Sequence, residues 1–427
     1  METKMKFGEP LHFECRICSE LTLQLILDLG EQKFTGVFPR SETTPVPAGK
    51  LLLAKCKNCH LVQLADKPSL SDMYGDNYGY RSGLNQSMVD HLRRKVASLK
   101  ELVKLKPGDL VIDIGSNDGT LLNTIAGRGL NLVGVDPVAG KFRNFYHPEI
   151  RVVEDFFPTL QLEAEHGRAT LITSVAMFYD LEDPAAFVSS IRQALSVNGV
   201  WHFEQSYMPA MLEKISYDTV CHEHLEYYSL QVISDLLNAQ GMKIIDVELN
   251  PLNGGSIAVT ACKSESEEYS VSPRVANLLS KELGLRLDEM EIYERFNLQA
   301  NEHQSKILSL VKALRDGGSM VAGYGASTKG NVLLQACGLG PDDLTLIGDV
   351  NPDKHGRYAP GSGIPIVSEE EMFALKPNYL LVLPWHFREF ILEKETEFLA
   401  RGGAFIFPLP VIEVVDIHGI QPLPKGL

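Results

Sequence analysis

Four cysteines in two CxxC pairs form the clearest metal-binding pattern of the chain. Cys15 and Cys18 make the first pair, and Cys56 and Cys59 make the second pair after 37 intervening residues. Each pair can form a tight knuckle with both sulfurs on one side, so four thiolates suit a closed tetrahedral Zn²⁺ site. Such a site stabilises a small lobe and leaves no open position for catalysis. Four unligated thiols are the alternative.

A second stretch, YDTVCHEHLEYYS at residues 217–229, places a glutamate between two histidines. Histidine is the side chain whose ordinary pKa suits proton transfer near neutral pH, so we expect a general base here. Metal binding through His222 and His224 is one alternative, although no third ligand with suitable spacing is near. A purely structural stretch is another. Tyr227 and Tyr228 suit either the wall of a cleft or the core.

A glycine-rich turn, GSNDG, follows an apolar run at residues 110–114. Gly115 and Gly119 allow close approach of a ligand, and the N-terminus of the following helix favours negative charge. Asp136, 21 residues after Gly115, ends the next apolar run, where a carboxylate can bind ribose hydroxyls. The turn lacks the GxGxxG of dinucleotide sites and favours S-adenosylmethionine (SAM). A nucleotide-free α/β domain is the alternative. The candidate cofactor-binding residues are Asp113, Gly115, Asn117, Gly119, Asp136, Pro137, Asp155, Phe156, Phe157 and Ser174.

A second glycine-rich turn lies in GYGASTKGNVLLQ, at residues 323–335. Its small residues are followed by a serine, a threonine and a lysine, which suit an anion at a helix N-terminus. The loop at residues 349–366 adds basic side chains that could bind a base, a ribose and a diphosphate. A helix-capping turn with a solvated loop is the alternative. The candidate substrate-binding residues are Tyr324, Gly325, Ala326, Ser327, Lys329, Asn331, Asp349, Lys354, His355, Arg357 and His386.

The elements that must position these residues are α/β in character. Strands and turns are expected over residues 1–68, and a connector with a helix from about Gln86 to Lys104 over residues 69–105. Alternating strands and helices over 106–265 predict a parallel sheet that ends in an antiparallel hairpin at 242–263. A polar linker at 264–273 and a helix at roughly 285–316 lead into a second α/β pattern over 266–427.

The composition of the chain argues against several classes of binding partner and location. The net charge of -15 argues against nucleic acid or an anionic membrane as the main partner. No run of about 18 apolar residues suggests a membrane span, and the N-terminal residues do not resemble a secretory signal. Seven unevenly spaced cysteines do not suggest a secreted disulfide framework. We therefore expect a cytoplasmic protein with reduced thiols, present as a monomer or weak homo-oligomer.

The order of these parts resembles the SAM-dependent nucleotide-sugar C-methyltransferases. A four-cysteine lobe, DIGSNDG, the H-E-H segment, GYGASTKGN and NPDKHGRYAPG follow in the same order over almost the whole chain. The family includes the C-3 methyltransferases of branched deoxysugar biosynthesis, of the mycarose and tetronitrose type. The resemblance implies a zinc-binding N-terminal lobe, a class I SAM domain and a C-terminal Rossmann-like domain, with the nucleotide sugar between the last two.

The resemblance also implies a reaction and its residues. Family members act on 4-keto-6-deoxysugars linked to dTDP or GDP, remove the proton at C3 and methylate the enolate. The acidic residue and base fall on Glu223 and His224. Cys221 stands where relatives often have tyrosine, and Tyr179 where a histidine is common. Tyr78 or Tyr80 matches a position that lines the sugar site. The candidate catalytic residues are His224, Glu223, His222, Tyr78, Tyr80, Tyr179 and Cys221.

Two other functions remain open on the sequence. One is O- or N-methylation of a nucleotide sugar or small metabolite, which needs a base but no enolate stabiliser. The other is a non-catalytic zinc-lobe binding protein that uses SAM as a sensor ligand.

Overall fold

The computed structural model describes residues 4–41, 43–66, 81–158 and 167–423, which build three sheets. The first sheet is antiparallel, and the other two are mainly parallel with an antiparallel edge. Parallel strands alternate with helices as predicted, which confirms the α/β class.

Five strands form the first sheet, in the order β1-β2-β3-β4-β10. The first four are β1 (Pro10–Leu11), β2 (Leu23–Lys33), β3 (Ala48–Cys56) and β4 (Val62–Leu64). The fifth strand, Glu226–Tyr227, is β10 in chain order and comes from the H-E-H stretch. Apolar side chains of β2 and β3 enter two different cores, so both faces of this sheet are covered.

Seven strands form the second sheet. They are β5 (Leu110–Ile114), β6 (Asn131–Val135), β7 (Ile150–Val153), β8 (Ala169–Val175), β9 (Leu195–Ser206), β11 (Met242–Asn250) and β12 (Ser256–Lys263). Their order is β11-β12-β9-β8-β5-β6-β7, parallel from β9 to β7, and every residue of β5 is buried. The antiparallel pair β11–β12 confirms the predicted hairpin.

Six helices of the described residues lie between Gln86 and Ala239 in the chain. They are α1 (Gln86–Val103), α2 (Thr120–Asn123), α3 (Ala139–Phe142), α4 (Pro184–Ala194), α5 (Met208–Glu213) and α6 (Leu230–Ala239). The predicted helix near residues 86–104 is confirmed. Leu92, Val96 and Leu99 bury its apolar face, and the Asn85 side chain accepts from the Ser87 N–H at its start.

The third sheet also has seven strands. They are β13 (Val321–Tyr324), β14 (Ile347–Asp349), β15 (Ile366–Ser368), β16 (Tyr379–Val382), β17 (Ala404–Phe407), β18 (Glu413–Asp416) and β19 (Gly419–Gln421). Their order is β15-β14-β13-β16-β17-β18-β19, parallel from β15 to β17. The remaining helices are α7 (Pro273–Leu285), α8 (Glu291–Asp316), α9 (Thr328–Cys337), α10 (Glu369–Ala374), α11 (Arg388–Lys394) and α12 (Thr396–Ala400). Among the helices of the described residues, none combines the length and apolar composition that a membrane span needs.

The helix expected at roughly 285–316 is confirmed as α8, which begins at Glu291, and α7 precedes it as a helix that was not predicted. α7 ends at Leu285, and the left-handed backbone of the next residue, Arg286 (φ 55°), turns the chain before α8 begins. The two helices serve different cores, because Leu278 of α7 packs with the second sheet while Phe296 of α8 packs with the first. The segment between the second and third sheets is therefore held against both neighbouring parts of the protein.

Glu282 of α7 holds this helix against the start of α6 through hydrogen bonds. Its buried carboxylate accepts hydrogen bonds from the Leu230 N–H (2.7 Å) and the Gln231 N–H (2.9 Å) at the start of α6. It also accepts from the Tyr207 hydroxyl (2.7 Å). The Glu282 carboxylate of α7 thus caps the N-terminus of α6, and this contact joins the second sheet to the helix that leads to the third sheet.

We expect Glu282→Ala to lower the free energy of urea-induced unfolding by about 3 kcal/mol, because three buried donors lose a charged acceptor. Glu265→Ala is the control, since Glu265 makes an exposed ion pair with Arg192. Equal unfolding midpoints for the two variants would contradict this role of Glu282.

Candidate active site

The four cysteines meet at one end of the first sheet. Their Sγ atoms all lie within 4.8 Å of one another, with Cys15 3.5 Å from Cys59 and Cys18 3.5 Å from Cys56. Thiolates bound to zinc at about 2.3 Å lie roughly 3.8 Å apart, so the quartet fits a tetrahedral Zn²⁺. Protein sulfurs take all four positions, and the fitted metal is therefore structural.

The predicted cofactor loop leaves the carboxyl end of β5. Gly115 (φ 73°), Asn117 (φ 50°) and Gly119 (φ 75°) all have left-handed backbones. A Cβ at Gly119 would lie 2.6 Å from the ring of Tyr146, so the close packing here requires glycine. The turn therefore keeps its main chain tight at the edge of the sheet, where a nucleoside can approach it.

Two carboxylates support the loop. Asp113 accepts from the Thr173 hydroxyl (2.6 Å), and burial raises the pKa of Asp113 to about 7. Asp136 accepts from the Asn117 N–H (2.9 Å) and from the main-chain N–H two residues beyond itself (2.8 Å). Burial raises the pKa of Asp136 as well. A carboxylate has about four acceptor positions, so Asp136 can still bind a ribose diol. Pro137 follows it, half-buried.

A segment that the sequence did not single out contacts the cofactor loop. The Ser82 N–H donates to the Asn117 side-chain oxygen (3.0 Å), and the Gly83 N–H donates to Asp118 Oδ2 (2.9 Å). Arg81 also contacts Asp118, at 3.2 Å. These bonds use side chains of the GSNDG turn itself, so the start of α1 and the cofactor loop hold each other in place.

The other candidate cofactor residues differ in how they are presented. Asp155 accepts from the Phe156 N–H (2.8 Å), and the Phe156 side chain is exposed. Phe157 is half-buried against the core of the second sheet. Ser174 is fully buried, and its hydroxyl accepts from Trp201 Nε1 (2.9 Å). Phe156 thus offers an aromatic surface, whereas the Ser174 hydroxyl is bonded within the core.

The H-E-H residues form a turn, closed by the His224 N–H and the Cys221 carbonyl (3.2 Å). His224 Nδ1 lies 3.0 Å from the carbonyl of Thr219, and the His224 ring packs 4.2 Å from the Tyr179 ring. A carbonyl only accepts, so Nδ1 carries the hydrogen and Nε2 keeps a lone pair. A main-chain carbonyl thus sets the tautomer of His224.

His222 faces a different environment. Its Nε2 donates to the Gly49 carbonyl (3.1 Å), and its ring packs against Phe34 at 4.5 Å. The two imidazoles therefore serve separate partners. Across the described part of the chain, the cysteine quartet is the only cluster of three or more metal-type ligands, so a metal between His222 and His224 is not supported.

Glu223 meets the loop between β2 and β3. Its carboxylate lies 3.5 Å from the Thr35 hydroxyl, and a Cβ at Gly36 would lie 3.0 Å from it. Asn331 at the start of α9 donates to the Thr35 carbonyl (2.8 Å). The loop between β2 and β3 of the zinc lobe thus contacts both the H-E-H turn and α9.

Cys221 opens the same turn. Burial raises the pKa of its thiol, which therefore stays protonated.

Lys329 brings a positive charge to the same turn. Its ammonium donates to the Asn253 carbonyl, and Trp385 Nε1 donates to Asp218 Oδ2 (2.7 Å) just before the turn. Burial lowers the pKa of Lys329 and raises that of Asp218, and each charge opposes the other's shift. Burial, followed by Lys329, lowers the pKa of His224 to about 4. The Lys329 ammonium thus lies within electrostatic reach of the His224 imidazole.

His386 lies near the same charges. It follows Trp385, and burial lowers its pKa to about 3, with Lys329 and Lys214 adding to the effect. Its Nδ1 is buried and has no hydrogen-bond partner among the described residues. His386 is therefore neutral at physiological pH.

The basic loop after β14 is ordered by main-chain contacts. Asp349 accepts from the Ala326 N–H (2.7 Å), and Lys354 donates to the Ala326 carbonyl (2.7 Å). His355 Nε2 donates to the Asp349 carbonyl (2.8 Å). Arg357 donates to a carbonyl of the β2–β3 loop (3.1 Å). The structure brings these four candidate substrate residues together beside the turn before α9.

The turn before α9 is closely packed and leaves no space for a side chain at Gly325. Gly325 (φ 80°) would place a Cβ 2.8 Å from Pro384, and Ser327 caps α9 by accepting from a main-chain N–H. Tyr324 differs from its neighbours, because its hydroxyl donates to Glu395 (2.8 Å) and accepts from Lys394 (2.9 Å).

Among the predicted residues, Tyr78 and Tyr80 lie outside those that the structure describes.

Sequence patterns assigned no role to Thr35, Asp218, Asn253 or Trp385. Asp218 belongs to the quoted stretch at 217–229, but its partner Trp385 is 167 residues away in sequence. Only Trp385, one of two tryptophans in the chain, had a compositional signal.

Comparisons with known proteins agree with this arrangement. Residues 15–74 match a zinc binding domain family, 88–247 a methyltransferase domain family, and 251–410 the C-methyltransferase C-terminal domain family. The C-methyltransferase NovU of Streptomyces niveus is 30% identical over 410 residues, which cover 94% of this chain and 97% of NovU. The chain belongs to the C-methyltransferase family. It is a SAM-dependent methyltransferase with a zinc-binding lobe.

Solved structures resemble part of this C-methyltransferase. The CcbJ methyltransferase of Streptomyces caelestis is 12% identical and has a TM-score of 0.33, with 40% of this chain and 89% of that chain covered. Magnesium protoporphyrin IX methyltransferase of Synechocystis PCC 6803 with bound SAM is 16% identical and has a TM-score of 0.31, with 42% and 79% covered. Nothing about the substrate follows from these similarities.

We expect Asp136→Ala to weaken SAM binding by this C-methyltransferase by about 10- to 100-fold, because a charged acceptor for the ribose is lost. Isothermal titration of SAM measures the effect. Asp183→Ala, at an exposed helix cap on α4, is the control and should leave SAM affinity unchanged. Equal affinities for the Asp136→Ala variant and the unmodified chain would contradict a ribose contact.

Proposed function

We propose that this C-methyltransferase acts on a 4-keto-6-deoxysugar linked to dTDP or GDP and methylates C3 through an enolate. The observation that carries the proposal is the neutral His224 imidazole within electrostatic reach of the Lys329 ammonium. That pair supplies a base for the proton next to a ketone and a positive charge for the oxygen that becomes negative.

His224 suits the role of base in two respects. Its Nδ1–H is engaged by the Thr219 carbonyl, which leaves the Nε2 lone pair to accept a proton. Its lowered pKa keeps the ring neutral at physiological pH. The carbonyl of Thr219 also stabilises the imidazolium that forms after proton transfer. SAM, when bound, supplies an activated methyl group on a sulfonium sulfur.

Lys329 suits the enolate oxygen. It lies at the start of α9, and its ammonium has one hydrogen-bond acceptor from the protein, the Asn253 carbonyl, among the described residues. An ammonium has three N–H donors, so two remain for a substrate oxygen. The carboxylate of Asp218 favours the charged form of Lys329, and buried surroundings strengthen the attraction between the two charges.

The nucleotide assignment rests on the turn before α9 and the loop after β14. The ten-residue α9 directs main-chain N–H groups toward the turn, where a diphosphate can bind. Lys354 and Arg357 add positive charge on the same side, although each donates to a main-chain carbonyl without a ligand. We assign dTDP or GDP as the carrier on this basis and on the resemblance.

Incubation with methyl-labelled SAM and a dTDP- or GDP-linked 4-keto-6-deoxysugar in D₂O tests the proposal. Deuterium should enter C3 without SAM, and a C3 methyl group should appear with it. A labelled methyl group on oxygen or nitrogen, with no exchange at C3, would instead indicate the O- or N-methyltransferase alternative.

We expect His224→Gln to slow deuterium exchange at C3 by about 10²- to 10⁴-fold, because the general base is lost. SAM affinity should remain, since the cofactor loop is elsewhere. His418→Gln, at an exposed position near the end of the chain, is the matched control. Normal exchange in the His224→Gln variant would remove His224 from the mechanism.

The acid limb of kcat/KM should lie well below pH 6.5, because the folded protein holds His224 neutral down to a pKa of about 4. Lys329→Met should move this limb to higher pH, since a positive charge that disfavours protonation is gone. Lys306→Met, on the exposed face of α8, serves as the charge-matched control. A limb that stays in place or moves to lower pH after Lys329→Met would argue against the coupling.

A further inference from the structure

The zinc lobe and the candidate base are connected by an ion pair that the proposed mechanism does not use. Arg16 lies between Cys15 and Cys18 in the first knuckle, and its Nε is 3.5 Å from Glu226 Oε1. Both side chains are almost fully buried, at 2% and 0% exposed. Two charges taken out of water at this position call for an explanation, since a buried pair rarely stabilises a protein more than apolar packing does.

The other contacts of Arg16 are made to the backbone of the same region. Its guanidinium donates to the Leu64 carbonyl (2.7 Å) and the Asp66 carbonyl (3.0 Å), at the end of β4. Its own N–H donates to the Gln63 side chain (3.0 Å). Gln63 is the residue that pairs with Glu226 across β4 and β10. Cross-strand partners share one face of a sheet, so Gln63 and Glu226 both contact Arg16 on that face.

β10 needs such a contact because it is only two residues long. Its pairing comprises Glu226 with Gln63 and Tyr227 with Val62, and the Leu64 N–H adds one bond to the Leu225 carbonyl (2.9 Å). So few bonds specify the register weakly, and a slip of one residue turns every side chain to the opposite face. The residue just before Leu225 is His224, so a slip would rotate the candidate base away from the cleft.

We propose that Arg16 and Glu226 are positioning residues, which set the register of β10 and thereby orient His224, and that zinc acts on catalysis through this pair. The proposal rests on His224 being the base. A slipped strand would place Leu225 or Tyr227 opposite the Arg16 guanidinium, leaving a buried charge without its partner. The ion pair therefore selects one register, and the four cysteines hold Arg16 where it can do so.

A double variant separates positioning from stability. Arg16→Met with Glu226→Leu replaces the pair with apolar side chains of similar size, and the melting temperature should fall by only a few degrees, because the carbonyls of Leu64 and Asp66 lose the guanidinium as their donor. We expect bound zinc and SAM affinity to stay the same, while kcat falls about 10²-fold, as a base misplaced by about 1 Å would cause. KM for the sugar substrate should change little. Glu302→Leu with Lys306→Met, a surface ion pair on α8, is the matched control.

Two further measurements complete the test. Amide hydrogen exchange over residues 221–227 should be faster in the double variant than in the unmodified chain, and this readout does not depend on the proposed reaction. Glu226→Gln keeps the shape and an acceptor opposite Arg16, and should recover most of kcat. It also serves as the test if the double variant does not fold.

The outcomes are distinguishable. A normal kcat in the double variant, unchanged amide exchange, loss of zinc from it, or a Glu226→Gln variant as slow as the double variant would each overturn the positioning role. Normal C3 exchange in the His224→Gln variant would instead remove the proposed base. Slow exchange in that variant together with a normal double variant would overturn only the inference about Arg16 and Glu226.

Discussion

Leu225 is held through both of its peptide groups, and the candidate active site is built around that residue. Its N–H donates to the Tyr179 carbonyl (2.7 Å) after β8, and its carbonyl accepts from the Leu64 N–H (2.9 Å) of the zinc lobe. The preceding residue, His224, can therefore move only if the contact with one of these two parts is broken. Buried main-chain groups must keep their partners, so these two bonds anchor the turn, while the register of the two-residue β10 beyond it depends on side-chain contacts as well.

The charges in the cleft follow from the same arrangement. Asp218 and His224 lie in the segment between α5 and β10. Lys329 lies at the start of α9, and Trp385 follows β16 of the third sheet. Each charged group finds its partner on the other side, as in the bond from Trp385 to Asp218 and that from Lys329 to the Asn253 carbonyl. An isolated buried charge is costly, and low-dielectric surroundings strengthen a paired one. These contacts between distant parts of the chain thus bring the charged groups around His224 together.

Much of the fold was predictable because its signals are local. The glycine turn after β5, the helix α1 and the hairpin β11–β12 all lie where periodicity and turn residues indicated. The helix expected at roughly 285–316 is present as α8, whereas α7 was not predicted, and it ends before Arg286, whose left-handed backbone composition does not reveal. The strand β10 was also not foreseen. Two residues carry no periodicity, and this strand forms only because β4 offers a free edge.

The sequence by itself determined the chemical types present: four thiols spaced for zinc, a turn suited to SAM, and a histidine suited to proton transfer. Spacing and composition are sufficient for these, since each depends on neighbours in the chain. Only the tertiary structure decided how they act on one another. It gave His224 its tautomer through the Thr219 carbonyl, placed Lys329 within electrostatic reach of that ring, and brought Arg16 to Glu226. These pairings join residues up to hundreds of positions apart, and packing of whole sheets and helices, rather than local preference, brings them together.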